Sequence, residues 1–189
     1  PEADVEGLDR WLTLRALWAR SLQRSGSRER AIGVLEPLPR LLGQDRPPRA
    51  ALDGLLGSLL MDVGRLPEAV VAMELALARE QGLPPLSVAR VMRDLGVAHR
   101  LLGNRDLALQ RWREALALLE RVGAPGPSLE VVIELARCLR ELRRFEEAEA
   151  AGRLGYARAL ELGASSAGAA AAMGLVELSV ERSDLEEAE

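Results

Sequence analysis

The chain has 189 residues, a net charge of −4, 48% hydrophobic residues and only 3% aromatic ones. Ala, Leu, Arg and Glu dominate, which favours helix and leaves too little Val, Ile, Thr and Tyr for a β-sandwich or barrel. The acidic balance argues against a generic nucleic-acid binder, the lone Cys138 excludes an intrachain disulfide and suits the cytoplasm, and no apolar run reaches the roughly 18 residues of a membrane span. All 25 basic residues are Arg, a usage that suits a bacterial gene of high G+C content. The sequence carries no signal-peptide pattern; it starts at Pro1 without Met and stops at Glu189 inside an expected helix, so it reads as one domain, 1–189, cut from a longer chain.

Helical periodicity and turn residues give pairs of helices in chain order. The expected spans are 8–25 with 27–42, 49–63 with 66–81, 87–102 with 105–122, and 128–142 with 145–162. A fifth first helix, 166–182, has only a stub after it. The turns come from Gly26-Ser27, Gly64-Arg65, Gly103-Asn104, Arg143-Arg144 and Ser183-Asp184. Each leads to an alanine, at 31, 69, 108, 148 and 188, so the copies repeat every 38, 39, 40 and 40 residues. Gly43, Gly82, Gly123 and Gly163 end the second helices, and Ser87 and Ser128 stand as N-cap candidates for the helices that follow. The units run over 8–44, 48–83, 86–124, 128–164 and a truncated 166–189.

Twelve residues before each alanine sits a small or modest residue, Ala19, Gly57, Gly96, Ala136 or Val176, and just before it a large one, Trp18, Leu56, Leu95, Leu135 or Leu175. The small residues allow the two helices of a hairpin to approach closely. The pattern resembles the tetratricopeptide signature, best in Met92, Leu95-Gly96, His99, Ala108, Trp112 and in Asp53, Leu56-Gly57, Leu60, Ala69, Met73. The resemblance implies an all-α, right-handed superhelical stack of antiparallel hairpins, a tetratricopeptide-like α-solenoid of about four and a half repeats. Units of this length are similar to those in the sensor regions of bacterial transcriptional activators. The fourth copy departs from the signature: Gly152 stands where a large residue is due and Gly155 follows, which makes its second helix the softest.

No constellation for catalysis emerges. His99, the only histidine, occupies a packing slot, and nothing beside it in the pattern completes a triad or a metal set. Cys138 reads as a buried inert thiol. Glu146-Glu147 and Glu186-Glu187 point about 100° apart on a helix and serve as helix-start charges, not as an acid–base pair. Trp18 and Trp112 fall on core positions. Trp11 is either a cap or an exposed contact. No catalytic residue, metal set or cofactor motif is expected, hence no enzyme.

The first helices should line a concave face. Counting from the small residue of each unit places Thr13, Ala16, Arg20, Gln23; Ala51, Gly54, Ser58, Met61; Arg90, Arg93, Val97, Arg100; Glu130, Ile133, Arg137, Arg140; and Ala170, Met173, Glu177, Val180 inward. Arg20, Arg90, Arg93, Arg100, Arg137 and Arg140, joined by Arg24, thus predict a basic groove centred on the third and fourth units. Guanidinium groups bind carboxylate and phosphate in a bidentate manner. The expected partner is therefore an acidic peptide or protein, or a small anionic effector. The alternative is that these arginines pair with Glu130, Glu134, Glu141 and Asp94. The chaperone-type dicarboxylate clamp needs lysines, and there are none. The function expected is a non-enzymatic binding scaffold, the sensory region of a bacterial transcriptional regulator. Single-stranded RNA binding, which lacks stacking aromatics on this face, and self-assembly through terminal hairpins are the competing readings.

Overall fold

A computed structural model describes residues 2–38, 48–79, 81 and 83–186, all of them in helices, turns and short links, with no strand among them. The helices are α1 (Glu2–Arg24), α2 (Arg28–Leu35), α3 (Pro48–Asp62), α4 (Leu66–Leu77), α5 (Pro85–Leu101), α6 (Arg105–Arg121), α7 (Pro125–Glu141), α8 (Phe145–Glu161) and α9 (Ser165–Glu186). None is long and apolar enough to cross a membrane, among the described residues. The chain forms two compact units, 1–98 and 99–189, which divide within the last turn of α5.

One closure recurs at the helix ends. The residue after the first helix turns left-handed: Gly26, Gly64 and Gly103 take φ of +80°, +81° and +84°, and Arg143 takes +58°. Its N–H reaches back three residues and the next N–H reaches back five. Gly64 donates to the Met61 carbonyl at 3.0 Å and Arg65 to the Leu60 carbonyl at 2.9 Å. Arg143 repeats this on Arg140 and Arg144 on Leu139, at 2.8 and 2.9 Å. This pairing satisfies the orphan carbonyls of a helix end. Glycine adopts it freely, and Arg143 does so at a cost. Gly123 and Gly163 close α6 and α8 in the same way, at +66° and +63°. Gly43 and Gly82 lie outside the described residues.

The expected turn at Ser183 does not form, and α9 continues through it. Ser183 lacks glycine's freedom, and its hydroxyl donates to the Ser179 carbonyl at 3.1 Å, a bond native to a continuing helix. Ser87 and Ser128 do not cap. α5 and α7 begin earlier, at Pro85 and Pro125, because proline's fixed φ and missing N–H suit the first helical position. Ser128 instead donates to the Pro125 carbonyl from inside the first turn. α4 ends at Leu77, short of the expected 81, and α1 starts at Glu2, ahead of the expected 8.

In the first unit, Leu12, Ala19 and Leu22 of α1, Ile32 and Leu35 of α2, and Leu52, Leu56 and Leu59 of α3 share one core, and Met73 and Ala76 of α4 meet Val91 and Leu95 of α5. Close approach needs the small residue: a Cβ on Gly57 would sit 2.5 Å from Met73 Cγ and 3.2 Å from the Ala69 carbonyl oxygen. Asp53 is buried between Arg49 and Arg79, at 3.6 and 3.5 Å, and ties α3 to the second residue after α4. In the second unit the buried side chains include Leu109, Trp112, Leu119, Leu129, Val131, Leu135 and Leu139, with α6 against α7, α7 against α8 and α8 against α9.

Trp112 is fully buried as expected, but Trp18 is 49% exposed. Its counterpart Leu56 is covered because α2 precedes α3 and packs on it. No helix precedes α1 among the described residues. Trp18 instead shares the Arg15 guanidinium with Trp11, which lies at 5.7 and 4.7 Å from the two rings. Trp11 is therefore an exposed contact. Val176, in a slot expected to be close-packed, is exposed, and among the described residues no second helix packs on α9.

Candidate ligand-binding clefts

Helical spacing brings three first helices of the first unit to a common cleft of about 340 Å³. α1 supplies Arg20, Gln23 and Arg24; α3 supplies Ala50, Ala51, Gly54 and Ser58; α5 supplies Ser87, Arg90, Arg93 and Asp94. The α3 floor is low because its residues are small, and a Cβ on Gly54 would come within 3.1 Å of Val91. Arg20, Arg24 and Arg90 are exposed and make no hydrogen bond or ion pair among the described residues. Arg93 differs: its Nε and Nη2 donate to Asp94 Oδ1 at 3.0 and 2.8 Å. Burial pushes the Asp94 carboxyl above the ordinary aspartate range, and the Arg93 guanidinium only partly offsets this. The cleft therefore presents three guanidinium groups that make no hydrogen bond or ion pair among the described residues, Arg90 still acting on the Asp94 charge, and one that is paired.

The second unit treats its arginines differently. Arg100 donates to Glu141 at 3.0 Å and lies 3.9 Å from Glu134. Arg137 donates to Glu134 at 3.4 Å. Arg140 donates to Glu177, with Glu181 3.5 Å away. Arg137 and Arg140 border a hollow of about 360 Å³ between α7, α8 and α9, whose walls include Ile133, Ala136, Gly152, Gly155, Ala170 and Gly174. Of the six arginines singled out from sequence, Arg20, Arg90 and Arg93 thus line the first cleft, Arg137 and Arg140 the rim of the second hollow, and Arg100 neither. Sequence spacing found these positions. It named Asp94, Glu134 and Glu141, which pair with Arg93, Arg100 and Arg137, but missed Glu177 and Glu181 as partners of Arg140, and it missed the hollow, although the departure at Gly152 was its signal.

His99 is buried, as a packing residue should be. Cys138 is buried too. Its thiol donates to the Arg105 carbonyl at 3.7 Å, and burial, reinforced by Glu141, pushes it up to about 11, so the reactive thiolate is scarce at neutral pH. Among the described residues no group of three His, Cys, Asp or Glu is placed to hold a metal ion.

Comparison with known proteins agrees with this architecture. A tetratricopeptide repeat family model matches residues 48–121, the second and third hairpins. No curated protein matches the chain. Among solved structures, a putative kinesin light chain with nearly identical TPR-like repeats from Podosopora anserina superposes with a TM-score of 0.75 at 20% identity, over 94% of this chain and 89% of that one. Aspartyl phosphate phosphatase F from Bacillus subtilis gives 0.76 at 12% identity, over 99% and 51%. A Signal Transduction ATPase with Numerous Domains with a tetratricopeptide repeat sensor, from Pyrococcus horikoshii, gives 0.74 at 14% identity, over 87% and 26%. At these identities the likeness is one of fold. The chain is an all-α, tetratricopeptide-like solenoid of antiparallel hairpins, an architecture suited to protein interaction.

Proposed function

We propose that this chain is a non-catalytic binding scaffold whose first unit captures an acidic peptide segment, or a small anion of like charge, in the Arg20–Arg24–Arg90–Arg93 cleft. One observation carries the reading: Arg20, Arg24 and Arg90 line one cleft and none makes an ion pair or hydrogen bond among the described residues, with Asp94, held by Arg93, acting on Arg90 through its charge alone. Arginines present only for stability would be paired, as those of the second unit are. Guanidinium forks match carboxylates geometrically, and the shallow floor of Ala50, Ala51 and Gly54 leaves room for a peptide backbone. The chain serves as the sensory or interaction region of a larger bacterial transcriptional regulator. The repeat length and the similarity to a signal-transduction ATPase with a tetratricopeptide repeat sensor support that assignment.

Calorimetric titration with an Asp/Glu-rich peptide, beside its Asn/Gln counterpart, tests the reading. The acidic peptide should bind, its amide counterpart should not, and Arg20→Glu with Arg90→Glu should abolish binding while Arg100→Glu does not. Equal binding of both peptides, or no effect of the double reversal, would overturn it.

A further inference from the structure

The hollow of the second unit has a different origin and a different chemistry from the cleft of the first. Four residues after the signature alanine, the second and third hairpins place Met73 and Trp112, each fully buried. The fourth places Gly152. Leu175 of α9 reaches into part of the space this releases, so closely that a Cβ on Gly152 would lie 2.8 Å from Leu175 Cδ2. The rest remains open, about 360 Å³, because the facing positions are also small. At Gly174 a Cβ would meet nothing within 4 Å.

Among the described residues, the charged side chains that border this space are Arg137, Arg140 and Glu177. Arg140 is engaged by Glu177 and Glu181. Arg137 is held by a single long bond of 3.4 Å to Glu134, with 46% of its side chain exposed, so it is the guanidinium most readily recruited by an incoming anion. Apolar walls with one available cation at the mouth define an amphiphile.

We propose that the hollow between α7, α8 and α9 binds a short aliphatic group attached to a carboxylate, the aliphatic part among Ile133, Gly152, Gly155 and Gly174 and the carboxylate on Arg137. The volume sits near the lower end of the ~300–1,000 Å³ of small-molecule sites. At ~30 Å³ per water-sized volume it holds roughly a dozen non-hydrogen atoms, which selects a short chain over a long lipid tail. Two sources carry this chemistry, a free short-chain fatty acid and the C-terminal leucine of a peptide. This site is independent of the anion cleft in the first unit.

Titration of the whole chain with octanoate, octylamine and acetate tests the site, with two short peptides ending in leucine as a further arm, one with a free C-terminus and one amidated. Octanoate or the free-carboxylate peptide should bind, and whichever does identifies the source. Octylamine, acetate and the amidated peptide should not. Gly174→Leu fills the space from a position where a side chain meets no obstacle, and it should abolish binding while the helical circular dichroism is kept. Arg137→Gln should weaken binding at least tenfold, and Arg90→Glu should leave it unchanged, which separates this site from the acidic-peptide cleft. The proposal is overturned if neither carboxylate binds at millimolar concentration, if octylamine binds as well as octanoate, or if Gly174→Leu binds undiminished.

Discussion

Both units carry arginines on their first helices and put them to opposite uses. In the first, Arg20, Arg24 and Arg90 line a cleft floored by alanine and glycine and make no ion pair among the described residues, although the Asp94 charge is felt by Arg90. In the second, Arg100, Arg137 and Arg140 each meet a glutamate, and for Arg100 and Arg140 it comes from the next first helix. The units also differ beneath the surface: Met73 fills the first where Gly152 leaves the second open. A repeat scaffold can thus hold its backbone constant while one unit exposes charge and its neighbour exposes volume.

The contrast can be broken most forcefully at Met73. Met73→Ala gives the first unit the void of the second and should cost about 2–5 kcal/mol in urea unfolding, as truncation of a fully buried side chain does. Next comes the charge difference. Arg90→Ala should weaken capture of an acidic peptide about tenfold, roughly 1.4 kcal/mol in a titration, whereas Arg100→Ala should leave it unaltered. A smaller effect lies at the turn that opens α8. Arg143→Gly relieves a left-handed non-glycine residue and should raise the unfolding midpoint of the chain, by at most about 1 kcal/mol. Smallest is the pH response of Asp94. Its folded carboxyl holds a proton more tightly than the unfolded chain does, because burial outweighs the pull of Arg93 and Arg90 and Asp62 adds to the rise. Its contribution to stability is therefore greatest below its ordinary value of 3.8 and declines as pH rises above it. Asp94→Asn should flatten that part of the stability–pH curve. Asp53, raised in the same direction by burial between Arg49 and Arg79, supplies the slope that remains.

Much of this architecture was readable in the residues because its determinants are local. Gly26, Gly64 and Gly103 mark turns that need a left-handed residue, and the repeat period located Arg143 although its side chain argues against the conformation. Ser183 shows the limit of the same reasoning. A turn phrase matters only if a helix follows to pack, and the hydroxyl there bonds within α9 instead. Trp18 failed as a core residue because its cover, in the other copies, comes from the preceding hairpin. Ser87 and Ser128 lost the helix starts to nearby prolines. At the clefts, helical counting placed Arg20, Gln23, Ala51, Gly54, Ser58, Arg90 and Arg93 together. Asp94, Glu134 and Glu141, named from sequence as alternative partners, do pair with Arg93, Arg100 and Arg137, whereas Glu177 as the partner of Arg140, 37 residues away, was not legible because the two meet only through the packing of successive helices.

The near-identical turns have an evolutionary corollary. With φ of +80°, +81° and +84° and the same two backbone bonds at Gly26, Gly64 and Gly103, the segments between them begin and end with interchangeable geometry. Excising or duplicating the stretch from one such glycine to the next rejoins the chain without a new loop. Growth and shrinkage in whole copies, rather than by drift in loop length, is the path this backbone makes easiest, and a cleft can be gained or lost in a single recombination.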